Sequence, residues 1–483
     1  MSNHHATLTT ARGRPKLDRL DFMLAAVAGI ATACVLFPGL GQQTLANWDE
    51  ALYGVISRAL LQRPSLTLTY GGVPWFDKPP LFYWAMAGAA SLFGVTEFAL
   101  RLPGALCGIG AIILTYCIGR AFGGRSAGAI AALFLLGVAP FVALSRAAML
   151  DVGLTFFGLL SVALLVYGVN SLPLRMAAGV AFGLAFLIKS VAAFVFLPGL
   201  VAIAIALRGT AALRPKELVL IGSAAILIPL PWFLWSVAIH GQAFLDSFIY
   251  HHIFQRFQEP LDTHAGDALY YLDVYMHAGW LTALVHGIGL ALAAILAIWR
   301  KDFTIGALVI FAVGAFLIVS APATKIAWYL VPVYPATALA AALGFTTAFR
   351  HPGIKTIAVA AAALLALPGI IHGRTTLKEE YGMLDFSPEV SELRRLPLFV
   401  NGRVPLLYVL EVSQPAPLFY LAKDVPEVDG DGLEKLIQSG RRFYCLAFQK
   451  TALGILQKHA PEEFRVLGTT EYLVLLEHPA STK

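Results

Sequence analysis

From residue 22 to residue 371 the chain alternates long apolar runs with short polar breaks. A helix needs about 20 apolar residues to cross a bilayer, where its backbone groups must be satisfied within the segment itself. Runs of this kind fall at 22–40, 103–121, 126–144, 152–169, 175–188, 190–207, 218–238, 279–298, 303–320, 328–348 and 355–371. They predict about 11 transmembrane helices. The segment 81–95 is shorter and rich in aromatics, which predicts an interfacial or re-entrant helix instead of a span. Two breaks are long, 41–102 and 239–278, and both fall on the same predicted side. Beyond 371 the apolar runs shorten and charges become frequent. Stretches at 404–410, 441–448, 464–468 and 472–476 predict strands, and 415–422, 432–438 and 451–459 predict helices. The expected architecture is an α-helical polytopic membrane protein. It has a cytoplasmic N-terminal segment (1–21), a transmembrane domain (22–371) and a small extracytoplasmic α/β domain (372–483).

Composition agrees: 58% of residues are hydrophobic and 13% charged, where an ordinary soluble domain carries roughly 25% charged residues. The net charge is +6. Up to residue 371 there are 22 Lys and Arg against 14 Asp and Glu, so the basic excess belongs to the apolar part. Its basic residues are dispersed, which points to topology and lipid headgroups and away from nucleic acid. Arg12, Arg14, Lys16 and Arg19 precede the first run and put the N-terminus inside. Arg120, Arg125, Arg175, Arg208, Arg214, Lys216, Arg300, Lys301, Arg350 and Lys355 then fall on short inner loops, and the tail emerges outside. No small-residue cleavage site closely follows the first run, which reads as a retained anchor. Cys34, Cys107, Cys117 and Cys445 show no spacing of a metal knuckle or a disulfide framework. No internal repeat of the transporter kind is visible.

Side chains suited to chemistry gather in the predicted outer stretches. Asp49 and Glu50 open a helical pattern, where free N–H groups stabilise a carboxylate. Asp49 reads either as a helix cap or as a catalytic carboxylate at the membrane surface. Arg58, on the same pattern, is a surface charge or a phosphate contact. In Phe76-Asp77-Lys78-Pro79-Pro80 two prolines fix the backbone and hold an acid beside a base. Lys78 suits lipid headgroups or a single lipid phosphate. Asp151 needs a partner, for which Arg146, a metal and a substrate are candidates. Lys189 lies in a tight turn between two runs. His251, His252 and Arg256 share the second long loop: one histidine can ligate a metal, and Arg256 can grip a phosphate through two parallel bonds. Tyr329 is a belt aromatic or a hydroxyl donor to the same phosphate.

The order Asp-Glu-Ala-x-Tyr (49–53), Phe-Asp-Lys-Pro-Pro-Leu-x-Tyr-Trp (76–84) and Leu-Phe-Gly-x-x-Glu-x-x-x-Arg-Leu-Pro (92–103) resembles bacterial GT-C glycosyltransferases. The closest groups are the aminoarabinose lipid A transferases and the Rhizobium-type lipid A galacturonosyltransferases, with protein O-mannosyltransferases as distant relatives. The likeness runs over about residues 20–345. It implies a GT-C fold in the bacterial inner membrane. It implies transfer of one sugar, with inversion, from a polyprenyl-phosphate donor to lipid A or another cell-envelope acceptor at the periplasmic face. Asp49, with Glu50 beside it, is then the base or acceptor-orienting group. Lys78, Arg256 and Tyr329 hold the donor phosphate, together with Arg58 and Lys189. Asp151 belongs with the catalytic set, and Asp77 with His251 would hold a divalent metal ion. The chain departs from the family at Asp77, commonly Glu, and at Lys189-Ser190, often Lys-Gly. It is also shorter than the aminoarabinose enzymes.

Two other classes stay open at this point. A transporter or flippase of a lipid-linked sugar should carry charges or broken helices near mid-bilayer. A membrane scaffold acting through its tail would tolerate loss of Asp49 and Lys78.

Overall fold

A computed structural model describes residues 16–46, 49–206, 214–260, 264–375, 407–410, 419–420, 427–428, 430–459, 463–469 and 473–480. Residues 1–15, Asn47, Trp48, Arg208, Asp262, strand residues 404–406 and 472, and most of the predicted helix 415–422 lie outside these ranges. The chain divides into two compact units. One is Met1–Leu40, Phe76–Ala85 and Arg101–Leu377; the other is Gly41–Trp75, Met86–Leu100 and Lys378–Lys483.

Among the described residues, 7 helices are long and apolar enough to cross a membrane, or up to 9 if each of two bent pairs is one span. The 126–144 run bends by 74° between Arg125–Leu136 and Ala139–Ser145, at Gly137-Val138 with Pro140 just beyond. The 218–238 run bends by 43° between Pro215–Leu227 and Leu230–His240, where Pro229 and Pro231 remove ladder donors. The expected run 328–348 is a 3₁₀ turn, Ala327–Leu330, followed by a helix of only 15 residues, Tyr334–Ala348. Leu81–Phe93, at 13 residues, is too short to span, as expected.

The expected runs 175–188 and 190–207 form one apolar stretch, Leu172–Ala206, that reverses inside itself. Along Leu150–Tyr167, Ser161 donates to the Ala178 carbonyl at 2.8 Å, and Asp151 meets Lys189 at 2.6 Å. By Phe196 the chain has returned to Gly158, where a Cβ would lie 2.2 Å from the Phe196 ring. The reversal is at Ser190.

Charged side chains mark the two ends of this unit. At one end the buried Asp21 accepts from Arg120 at 2.8 Å and from Arg125 at 3.0 Å, joining three helices. At the other end Arg101 donates to the Leu40 carbonyl at 2.9 Å, and Arg146 donates to the Val35 carbonyl at 3.2 Å. The interior between the ends is apolar and rich in small residues. Gly289 and Gly344 let helices Trp280–Arg300 and Tyr334–Ala348 touch backbone to backbone.

In the second unit a mixed five-stranded sheet runs in the order Glu427–Val428, Leu407–Leu410, Phe443–Phe448, Leu473–His478, Arg465–Thr469. The first two junctions are parallel and the last two antiparallel. Alternate residues Phe443, Cys445 and Ala447 share a buried face with Val474 and Leu476, against which helices Gly430–Gln438 and Gln449–Lys458 lay Leu433, Ala452 and Ile455.

Candidate functional site

The segment 76–85, which runs into helix Leu81–Phe93, is pinned by aromatic packing. Phe76, Leu81 and Trp84 rest on a cluster of Leu187, Trp232, Phe244 and Phe248. Phe244, Phe248, His252 and Arg256 recur at four-residue spacing from the end of Gln242–Phe244, through the π-helix Leu245–Gln255, to the start of Arg256–Gln258. Seating Phe76 on that cluster sets its neighbour Asp77 against His252, with the charges of Lys78 and Arg256 acting on the pair.

Asp77 Oδ1 lies 2.6 Å from His252 Nε2. Burial alone would raise the Asp77 carboxyl. The His252 hydrogen bond and the charges of Lys78, His252 and Arg256 outweigh it and hold the group below the usual range. Burial pushes the His252 imidazole down, more than the Asp77 hydrogen bond raises it. Both shifts favour a neutral imidazole donating from Nε2 to an ionised carboxylate. The other ring nitrogen, Nδ1, is buried and has no hydrogen-bond partner.

Arg256 donates from Nη1 to the Tyr329 hydroxyl at 3.2 Å. Backbone bonds from Ala323 to the Phe257 carbonyl at 3.0 Å and from Thr324 to the Arg256 carbonyl at 3.2 Å hold the two segments together. Lys189 Nζ sits 4.5 Å from the centre of the Tyr329 ring and 2.6 Å from Asp151 Oδ1. Thus Asp77, Lys78, Asp151, Lys189, Arg256 and Tyr329, five sequence stretches apart, form one cluster with His252. Three permanent cations face two carboxylates, an excess positive charge suited to a phosphate.

Four expectations need correction. His251 is not the partner of Asp77: its Nδ1 lies 2.8 Å from Gln255 Oε1, and His252 takes the place. Adjacent helical residues point to different sides, and the spacing from Phe248 was the sequence signal for the inward one. Asp151 pairs with Lys189, and Arg146 is spent on backbone carbonyls. Glu50 is a local cap, accepting from the Ala46 N–H at 2.6 Å. Arg58 donates to the Phe419 carbonyl at 2.7 Å and lies over that ring. Asp49, Glu50 and Arg58 all belong to the second unit, where Asp49 is the first residue of helix Asp49–Gln62.

Asp77 and His252 bond each other directly through Oδ1 and Nε2. Among the described residues no three His, Cys, Asp or Glu side chains converge.

The sequence model of the dolichyl-phosphate-mannose-protein mannosyltransferase family matches residues 77–235. The crystal structure of ArnT from Cupriavidus metallidurans, bound to undecaprenyl phosphate, superposes with a TM-score of 0.77 at 19% identity, covering 95% of this chain and 98% of that one. The chain thus has the ArnT-like GT-C fold. The archaeal oligosaccharyltransferase AglB of Archaeoglobus fulgidus shares the GT-C fold more distantly, with a TM-score of 0.53 at 12% identity over 96% of this chain and 74% of its own. Among sequence relatives, an uncharacterized protein of Aquifex aeolicus is 29% identical, covering 64% of this chain and 61% of its own. The undecaprenyl phosphate-α-4-amino-4-deoxy-L-arabinose arabinosyl transferase 1 of Pseudomonas fluorescens is 28% identical, covering 67% and 58%. The chain spans about three-fifths of the length of these curated relatives.

Proposed function

We propose that this protein is a membrane glycosyltransferase that moves one sugar from a polyprenyl-phosphate donor to a cell-envelope acceptor of the lipid A type. The observation that carries the reading is the positively charged cluster in which Arg256 bonds the Tyr329 hydroxyl, Lys189 lies against the Tyr329 ring, and Lys78 and Arg256 both act on Asp77. Sugar transfer from such a donor breaks the C1–O bond and leaves the lipid phosphate with a growing negative charge. Lys78 and Arg256, with the Tyr329 hydroxyl, offset that charge in a part-buried setting where fixed donors act strongly. Arg256 holds the Tyr329 hydroxyl in place, and Asp151 fixes Lys189 against the Tyr329 ring. The acceptor oxygen attacks C1 from the face opposite the phosphate, and its proton passes to a base. Asp49 is assigned there from its motif. A carboxylate is a weak base, so the larger share of Asp49 is orientation.

The same reading assigns eleven crossings: the long helices, each bent pair as one, Leu172–Ala206 split at Ser190, and Ala327–Ala348. It puts the Asp21–Arg120–Arg125 end in the cytoplasm, where the basic loops cluster, and the cluster at Lys78 and Arg256 with the C-terminal sheet in the periplasm. A flippase is less well supported, since the ionised groups of this unit gather at its two ends.

The test is a comparison of lipid extracts by mass spectrometry from cells lacking the protein, complemented with wild type or Lys78→Ala. A sugar-sized mass missing from an envelope component, restored by wild type alone while the lipid donor accumulates in the variant, supports transfer. Full restoration by Lys78→Ala would overturn it.

A further inference from the structure

Ser190 is the residue at which Leu172–Lys189 ends and the chain reverses. Its backbone is at φ 50° and ψ −133°. This is not the left-handed helical region that Lys301 occupies at φ 51° and ψ 41°. It is the corner conformation in which a Cβ is crowded and glycine is the ordinary occupant. The same chain shows the ordinary choice elsewhere: Leu230–His240 ends at φ 53° and ψ −128°, and the residue there is Gly241. Ser190 is also buried, 6% exposed, and its hydroxyl has no hydrogen-bond partner. Its N–H is bound to the Phe186 carbonyl, so the backbone is fixed.

Two unfavourable features therefore meet in one small side chain, a strained backbone and a buried, unmatched hydroxyl. Glycine would relieve both. The residue directly follows Lys189, whose ammonium lies against Asp151 and the Tyr329 ring. We propose that the Ser190 hydroxyl is a binding group for the lipid phosphate, donating a hydrogen bond to a phosphate oxygen beside Lys189. This inference rests on the glycosyltransferase reading and adds to it a donor that is supplied only when the ligand is bound. Strain is kept at the corner because the hydroxyl acts on the ligand and not on the fold.

The test compares wild type, Ser190→Gly and Ser190→Ala as full chains in detergent. Three quantities are read: the thermal midpoint, the affinity for polyprenyl phosphate by titration, and the KM and kcat for the polyprenyl-phosphate sugar donor. Ser190→Gly is expected to melt higher than wild type yet bind polyprenyl phosphate roughly fivefold to tenfold more weakly, in line with one lost hydrogen bond to a charged group. KM rises by a similar factor and kcat changes less than about twofold. Ser190→Ala keeps the strain and loses the same affinity. If both variants bind polyprenyl phosphate as wild type does, the hydroxyl has no ligand role and the inference falls. If wild type itself binds no polyprenyl phosphate, the glycosyltransferase reading falls with it.

Discussion

Lys189 is held from two sides, by Asp151 Oδ1 at 2.6 Å and by the face of Tyr329 at 4.5 Å. Both charged side chains are almost wholly buried, 5% and 2% exposed. Removing one partner leaves a buried charge alone, which costs about 3–5 kcal/mol, whereas replacing both by apolar residues is close to neutral. Asp151→Ala is therefore expected to lower the melting temperature strongly. The double change Asp151→Leu with Lys189→Met should recover most of that loss without recovering transfer, as read by unfolding and by donor turnover. Arg256→Ala leaves the fold intact and removes a phosphate donor, so kcat/KM should fall by roughly a hundredfold or more, the scale of one preorganised donor. The Asp77–His252 pair gives a pH signature. His252 lies below its ordinary value of 6.5, so acid protonates the unfolded chain first and stability falls as pH drops below that value. Asp77 also lies below its ordinary 3.8, and its contribution, full above that value, is lost on further acidification. Unfolding followed from pH 8 to pH 4 should show the first loss in wild type and a smaller one in His252→Gln.

At the level of elements, the apolar runs were legible because a span is a local property of about 20 residues. The reversal at Ser190 was legible as a turn at Lys189, though nothing in Lys-Ser-Val marks how sharp it is. The choice between His251 and His252 was written in the spacing from Phe244 and Phe248, a signal that adjacent histidines conceal. Helix contacts were not legible. A Cβ on Gly344 would sit 2.0 Å from the Gly289 carbonyl oxygen, a backbone atom with nowhere to move. Gly344→Ala should accordingly force Trp280–Arg300 and Tyr334–Ala348 apart and lower the melting temperature by several degrees. Gly287→Ala, in open space, should raise it slightly or leave it unchanged.

For the molecule as a whole the decisive experiment is topology. Gln258→Cys and Lys301→Cys, each in a cysteine-free background, place an exposed thiol at opposite predicted sides. A membrane-impermeant maleimide should label the first in intact spheroplasts and the second only after lysis; the reverse pattern would invert the proposed orientation. The sequence by itself determined the membrane class, the apolar runs and most of the residue types in the candidate cluster, because hydrophobic length, loop charge and short motifs are properties of neighbouring residues. Only the tertiary structure decided which charges meet: Asp151 with Lys189, Asp77 with His252, Arg256 with Tyr329, and Glu50 and Arg58 with backbone groups. These choices depend on helix rotation and on the return of the chain after Ser190. Residues far apart in the chain carry no local record of that packing.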